Sequence, residues 1–181
     1  MGIPRIIIYI PNFCAGGTER FYTQLALSLS QLKKYSITYF YSINLKKIDY
    51  ENNSYIEFRK TLSKKSIFSF FEIVLFTWRN KCSLILTAQN HPNVIFSFFR
   101  FLLPARTKLI ISERAFTDSA LKDSKLITSR LINKLIPFSY RNANYVHCLT
   151  KRIARDIMNR YRVPKEKVVV IPTDAGSGVI R

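Results

Sequence analysis

Short apolar runs alternate with longer amphipathic stretches along most of this chain. The runs are rich in β-branched and aromatic residues and end at glycine, proline or polar residues, which is typical of buried strands. The predicted strands are Arg5–Ile10, Ser36–Tyr41, Tyr55–Phe58, Ser83–Thr87, Lys108–Ile111, Tyr145–Leu149 and Val168–Ile171. The first predicted helix has Phe21, Leu25, Leu29 and Leu32 on one face. The later predicted helices are Ser66–Arg79, Asn93–Leu103, Ser124–Tyr140 and Lys151–Tyr161.

This alternation predicts right-handed βαβ units, and therefore an α/β fold with a doubly wound, Rossmann-like parallel sheet. We expect the first strand in the interior of that sheet. Ligands of such sheets bind beyond the carboxyl ends of the strands. Polar clusters follow three of the predicted strands, namely Gly16-Gly17, Gln89-Asn90-His91 and Ser112-Glu113-Arg114. The sequence therefore predicts one site, assembled at that edge of the sheet.

Two adjacent glycines stand between the first strand and the first helix. The N-terminus of a helix offers unpaired N–H groups and the positive end of the helix dipole, which together favour an anion. Gly16 and Gly17 lack a Cβ, so a phosphate or diphosphate can approach their backbone closely, and Arg20 could reach back across the loop. A tight turn that binds no ligand explains the same glycines equally well.

His91 is the side chain best suited to acid–base catalysis, because it follows a strand end and titrates near neutral pH. A loop histidine that caps or packs against the next helix is the alternative. Asn90, Glu113 and Arg114 are candidates for contact with a ligand or a phosphate, since a guanidinium binds phosphate bidentately. An ion pair between Arg114 and Glu113, or a helix cap, would serve a purely structural end. His147 lies inside an apolar strand and is expected to be structural.

Composition adds a strong electrostatic signal. The chain has 181 residues, 48% of them hydrophobic, and a formal net charge of +18. That length and apolar content predict one domain with a real core, and the charge favours polyanionic partners such as phosphorylated substrates, anionic lipid or nucleic acid. The cysteines, Cys14, Cys82 and Cys148, are far apart and odd in number, so we expect free thiols in a reducing compartment and no metal site.

Three segments resemble one family in the expected order. The loop Gly16-Gly17-Thr18-Glu19-Arg20 resembles the Gly-Gly-x-Glu-Arg loop of family 4 glycosyltransferases. Ile111–Arg114 resembles the Ser-Glu-Arg segment of the branch that builds bacterial surface polysaccharides and lipid-linked oligosaccharides, and Tyr161–Pro172 resembles the segment that closes the family's N-terminal domain. The likeness extends over about residues 5–172.

The resemblance implies a Rossmann-like half of a GT-B architecture, on the acceptor side of a retaining glycosyltransferase that uses a nucleotide sugar without a metal or other cofactor. It implies a donor diphosphate near Gly16, Gly17 and Arg20. It also implies that the candidates for a sugar-acceptor or phosphate contact are Asn90, Glu113 and Arg114. The family's second domain carries a Glu-x7-Glu signature, and no two glutamates here are eight positions apart. We therefore expect residues 1–172 to form the N-terminal domain and residues 173–181 a short tail. The donor half would come from a separate chain, or would be missing through truncation.

The segment from Lys64 to Leu103 is unusually aromatic and is flanked by basic residues. Core packing explains many of these rings, but the combination also suits the surface of an anionic bilayer. We expect a cytoplasmic protein, peripheral on the inner face of the plasma membrane, that acts on a glycan or lipid-linked acceptor. The alternative is a non-catalytic basic module that binds anionic membrane. A basic module that binds nucleic acid is less favoured than one that binds membrane, because the sequence contains no motif typical of nucleic-acid recognition.

Overall fold

The structure, a computed structural model, describes residues 3–13, 16–44, 56–113 and 127–172. Its centre is a seven-stranded parallel sheet, accompanied by a short parallel pair formed by β2 and β4. The strands are β1 (Arg5–Tyr9), β2 (Asn12–Phe13), β3 (Ser36–Tyr41), β4 (Ile43–Asn44), β5 (Ile56–Lys60), β6 (Leu84–Ala88), β7 (Lys108–Glu113), β8 (Tyr145–Cys148) and β9 (Val168–Val170). The sheet order is β5-β3-β1-β6-β7-β8-β9, so the chain winds outward from β1 in both directions.

Helices lie in most of the connections between successive strands of the seven-stranded sheet, as parallel pairing requires. They are α1 (Gly17–Gln31), α2 (Ser66–Asn80), α3 (Asn90–Phe98), α4 (Ile127–Asn142) and α5 (Lys151–Tyr161), with 3₁₀ turns at Arg100–Leu102 and Lys165–Lys167. The prediction of a doubly wound parallel α/β sheet with the first strand inside it is confirmed. Among the described residues, no helix has the length and apolarity needed to cross a bilayer.

The sheet separates two apolar clusters of different size. On one face α2, α3, α4 and α5 all pack against the strands, and their most buried side chains are Phe70, Ile73, Phe96, Tyr140 and Ile157. On the other face the described helical layer consists of α1, which contributes Tyr22 and Ala26. The strand residues alternate between these faces, which explains why the strands are apolar on both sides.

The structure corrects several sequence predictions in detail. The buried face of α1 is centred on Tyr22, Ala26 and Ser30, while Leu32 lies outside the helix and is exposed. Leu25 and Leu29 are only partly buried beside this face. The helix predicted over Asn93–Leu103 begins earlier, at Asn90, and ends at Phe98, before a 3₁₀ turn. The two-residue strands β2 and β4 were not predicted, because strands this short have no recognisable period.

Candidate functional site

The predicted polar clusters follow the carboxyl ends of neighbouring strands. Tyr9 near the end of β1 pairs with Thr87 of β6, and Ala88 of β6 pairs with Ser112 of β7. The segments that leave β1, β6 and β7 therefore emerge side by side at one edge of the sheet. We call this edge, with the N-termini of α1 and α3, the carboxyl rim.

The glycine loop enters α1 without any unusual backbone angle. Gly16 is the N-cap, with φ −77° and ψ 167°, and neither Gly16 nor Gly17 has a positive φ. A Cβ built on Gly17 would have no heavy atom within 4 Å outside its immediate surroundings. The fold therefore does not require a glycine at position 17. What the missing side chain provides is open space beside the first N–H groups of the helix.

Glu19 lies against the other glycine of the loop. A Cβ on Gly16 would be 2.4 Å from the Glu19 Oε2 atom, and Glu19 is only 5% exposed. A carboxylate in the first turn is favoured by the helix dipole. Its position closes the Gly16 side of the loop and leaves the Gly17 side open. Arg20, in the same turn, is exposed to solvent.

A strained residue separates β6 from α3. Gln89 has φ 83° and ψ 146°, a region that side-chain-bearing residues rarely adopt. This conformation ends the strand and starts α3 at once, which places Asn90 and His91 in the first helical turn. His91 is largely exposed, yet partial desolvation of its imidazole lowers its pKa below the usual 6.5. The neutral imidazole is therefore the main form near pH 7.

Asn93 fastens this turn to the sheet. Its Oδ1 accepts a hydrogen bond from Thr87 Oγ1 at 2.7 Å, and its Nδ2 donates one to the Ser112 carbonyl oxygen at 3.0 Å. All three residues are buried. One side chain thus joins the ends of β6 and β7 to the start of α3, and it fixes the turn that carries His91. Sequence reasoning did not single out this residue.

Glu113 occupies a buried position on the side of α4. It is 7% exposed and its Oε2 accepts a hydrogen bond from the Tyr140 hydroxyl. Burial and the nearby Glu113 charge raise the pKa of the Cys148 thiol to about 12. In this placement the carboxylate supports the end of β7, so its predicted contact with an acceptor remains a prediction. Arg114 lies outside the described residues, as does its predicted pairing with Glu113.

His147 holds four parts of the fold together, which agrees with the structural role expected for it. Its Nε2 lies 3.0 Å from the Ile171 carbonyl oxygen, which can only accept, so Nε2 carries the proton. Nδ1 then accepts from the Ser112 hydroxyl at 2.9 Å, and the Tyr22 hydroxyl lies 3.3 Å from the same nitrogen. Phe21 stacks on the ring, with centroids 5.7 Å apart. The imidazole joins α1, β7 and β8 to the residue after β9.

An apolar hollow lies beside this histidine, on the face of the sheet that carries α1. It has a volume of about 220 Å³. Its lining includes Phe21, Leu25, Leu86, Ile110, Tyr145 and Val169. The lining is mostly apolar and contains no arginine or lysine, so the hollow does not suit a phosphate. Among the residues that the structure describes, no three histidine, cysteine or acidic side chains converge as a metal site would need.

Comparison with known proteins identifies the family. The model of Glycosyltransferase Family 4 matches residues 15–173, most of the chain. No curated protein matches significantly.

Solved structures agree with this match at the level of the fold. Sucrose-phosphate synthase from Thermosynechococcus elongatus is similar at 13% identity, with a TM-score of 0.67 over 93% of this chain and 48% of that one. HepE from Anabaena, solved in complex with UDP, is similar at 14% identity, with a TM-score of 0.64 over 94% and 44%. The lipopolysaccharide outer core galactosyltransferase WaaB, in its apo form, is similar at 12% identity, with a TM-score of 0.62 over 93% and 45%. The chain spans less than half the length of each.

Proposed function

The chain belongs to glycosyltransferase family 4, and on that premise we propose that it is the acceptor-side half of a retaining glycosyltransferase. It would take part in transfer of a sugar from a nucleotide-sugar donor to a polysaccharide or lipid-linked acceptor. The observation that carries this proposal is the carboxyl rim. There the open glycine loop of α1 and the His91 turn of α3 leave adjacent strands of the sheet.

The glycine loop is proposed to contact the donor diphosphate. The N-terminus of α1 carries the positive end of the helix dipole, and the missing side chain at Gly17 leaves the approach to it open. Because Glu19 closes the Gly16 side, a diphosphate would enter over Gly17. Arg20 is exposed in the same turn and could pair with a phosphate oxygen.

His91 is proposed to act on the acceptor. Its lowered pKa keeps the imidazole neutral near pH 7, so it can accept a hydrogen bond or a proton from a sugar hydroxyl. Asn90 precedes it in the turn and can bind a hydroxyl or a phosphate through its amide. Asn93 holds the backbone of this turn in place for both.

The proposed enzyme also needs a donor-binding domain and a membrane that carries the acceptor. A site between two domains aligns donor and acceptor and excludes water only when both domains are present. We propose that polypeptide outside residues 1–181 supplies the donor half, and that the pair works at the anionic inner surface of the plasma membrane. The net charge of +18 would attract that surface.

The test is a transfer assay with a radiolabelled nucleotide sugar and membranes that carry the endogenous acceptor. The chain is combined with the polypeptide encoded directly downstream of it. We expect label in the polymer or lipid fraction from the combination and none from this chain alone. Gly17→Val and His91→Ala should each lower the rate by about a hundredfold, a size typical of lost positioning or proton transfer. Leu32→Val, exposed beyond the far end of α1, is the matched control.

Two results would overturn the proposal. One is transfer at the full rate by the chain on its own. The other is an unchanged rate in both variants when circular dichroism shows them to be folded. If the combination transfers no sugar but the chain binds anionic vesicles, the second candidate gains support, a non-catalytic membrane-binding module. The exposed aromatic residues of α2 are the specific observation that favours it.

A further inference from the structure

Helix α2 has two apolar faces, and one of them points away from the protein. Its inner face packs Phe70 and Ile73 into the core. Its outer face carries four large apolar side chains that are 48% to 57% exposed, namely Phe68, Phe71, Leu75 and Trp78. Their spacing of three, four and three residues places them in one line along the helix. We call these four residues the outer stripe.

Further exposed rings adjoin the outer stripe. Phe71 approaches Phe99, with ring centroids 6.3 Å apart, and Phe99 in turn approaches Phe101 at 6.3 Å. Phe101 is 75% exposed. The Trp78 indole donates its N–H to the Leu102 carbonyl oxygen at 2.9 Å, so its polar atom is satisfied while its ring faces outward. The stripe and the 3₁₀ turn after α3 thus form one continuous apolar surface.

Basic side chains surround this surface. Lys64 and Lys65 precede the helix, and Arg79 and Lys81 lie at its end, all exposed. The salt bridges of the described residues involve Arg5 and Arg59 with Glu57, and none of these four cations. The one carboxylate of α2, on Glu72, accepts a hydrogen bond from the Leu62 backbone N–H. The border of the stripe is therefore cationic at both ends of the helix.

This charge pattern decides between the possible occupants of the stripe. A second copy of the chain would bring the same cations against these and would add another net charge of +18. An anionic lipid surface offers both complementary charge and an apolar interior for the rings. Tryptophan is enriched at the membrane–water interface, and the ring of Trp78 is exposed here.

We propose that the outer stripe is the membrane-contacting element of the protein, lying in the plane of an anionic bilayer with its rings at the boundary between the headgroups and the acyl chains. This inference rests on the membrane placement in the proposed function, but not on sugar transfer.

The inference also orients the molecule. As a crossover between parallel strands, α2 starts at the carboxyl rim and runs back to the opposite edge of the sheet. A helix lying flat would place the strands roughly parallel to the bilayer. The carboxyl rim would then open sideways along the membrane, within reach of an acceptor anchored in it.

Trp78 is the only tryptophan in the chain, so it reports on the stripe without any label. The experiment measures its emission with vesicles of phosphatidylcholine containing phosphatidylglycerol, and with matched vesicles whose acyl chains are brominated. We expect a blue shift and strong quenching by bromine with the anionic vesicles, and neither with pure phosphatidylcholine. The quenching should weaken as salt concentration rises.

Variants separate the stripe from the charges. Phe71→Ser with Leu75→Ser should lower the partition coefficient by about tenfold or more, since both side chains lose interfacial burial. Lys64→Gln and Lys65→Gln should each lower it by about fivefold, corresponding to about 1 kcal/mol per charge near the surface. Leu32→Ser removes an exposed apolar side chain outside the outer stripe, and it should leave the partition coefficient unchanged.

Each outcome has one meaning. Vesicle binding without quenching of Trp78 overturns the stripe and leaves the membrane placement standing. Absence of binding to anionic vesicles overturns both the role of the outer stripe and the membrane placement, whatever the transfer assay shows. A dimer by light scattering that the Phe71→Ser, Leu75→Ser change dissolves would assign the stripe to a second copy and overturn the inference. If that double variant does not fold, the quenching of the unaltered chain still decides.

Discussion

The two glycines of the loop should respond in opposite ways to the same substitution. In Gly16→Ala the new Cβ would be 2.4 Å from Glu19 Oε2, whereas ordinary contact begins at 3.4 Å, so the carboxylate must move by about 1 Å. Because Glu19 is buried, we expect the move to lower the free energy of unfolding by about 1–2 kcal/mol. In Gly17→Ala the new Cβ meets open space in a helical residue, and the stiffer unfolded chain should raise that free energy by about 0.4–1 kcal/mol.

Urea unfolding followed by far-UV circular dichroism measures both changes, and the two variants should differ by about 2 kcal/mol. A double-mutant cycle isolates the clash, because in a Glu19→Ala background the steric part of the Gly16→Ala penalty should vanish. Equal stability of the two glycine variants would refute this description of the loop. So would a destabilised Gly17→Ala, which would mean that the fold itself needs glycine there.

Three further outcomes follow from buried or shielded groups. Asn93→Ala should lower the free energy of unfolding by about 2–3 kcal/mol, measured in urea, because two buried hydrogen bonds are lost and a threonine hydroxyl keeps no acceptor. Burial raises the pKa of Cys82 to about 11 and that of Cys148 to about 12, so in a Cys14→Ser background neither thiol should react with a disulfide reagent at pH 8 until urea unfolds the chain. The pKa of His91, followed by NMR and assigned with His91→Gln, should lie below 6.5, so its protonation should reduce stability as pH falls below that value.

The fold was predictable because the pattern of apolar and polar residues that marks each strand and helix is local and recurs along the chain. A buried strand such as β3, over Ser36–Tyr41, has both ends marked by polar or turn-forming residues, and its predicted bounds are those of the structure. The same holds for α5 over Lys151–Tyr161, whose N-cap Thr150 accepts a hydrogen bond from the Ile153 N–H. The buried face of α1 could not be predicted by counting leucines, since residues as polar as Thr23 and Ser30 are buried against the sheet.

The candidate site was only partly predictable, because its fixed geometry comes from residues far apart in sequence. The clusters at Gly16 and His91 are recognisable as polar segments after strands. Tyr22 contacts His147 across 125 positions, and no period or motif connects them. The role of Asn93 likewise depends on the register of two strands, which a sequence alone does not state.

The position of β1 has a consequence for how the protein is made. This strand is synthesised first, but in the finished sheet it lies between β3 and β6. From Tyr41 at the end of β3 to Leu84 at the start of β6, a ribosome adding about 5–20 residues per second needs roughly 2–9 seconds. Throughout that interval the second edge of β1, with Ile6, Ile7 and Ile8, offers unpaired backbone groups beside apolar side chains. A strand that ends between two partners in the interior of the sheet is therefore open to mispairing while the rest of the chain is still being made.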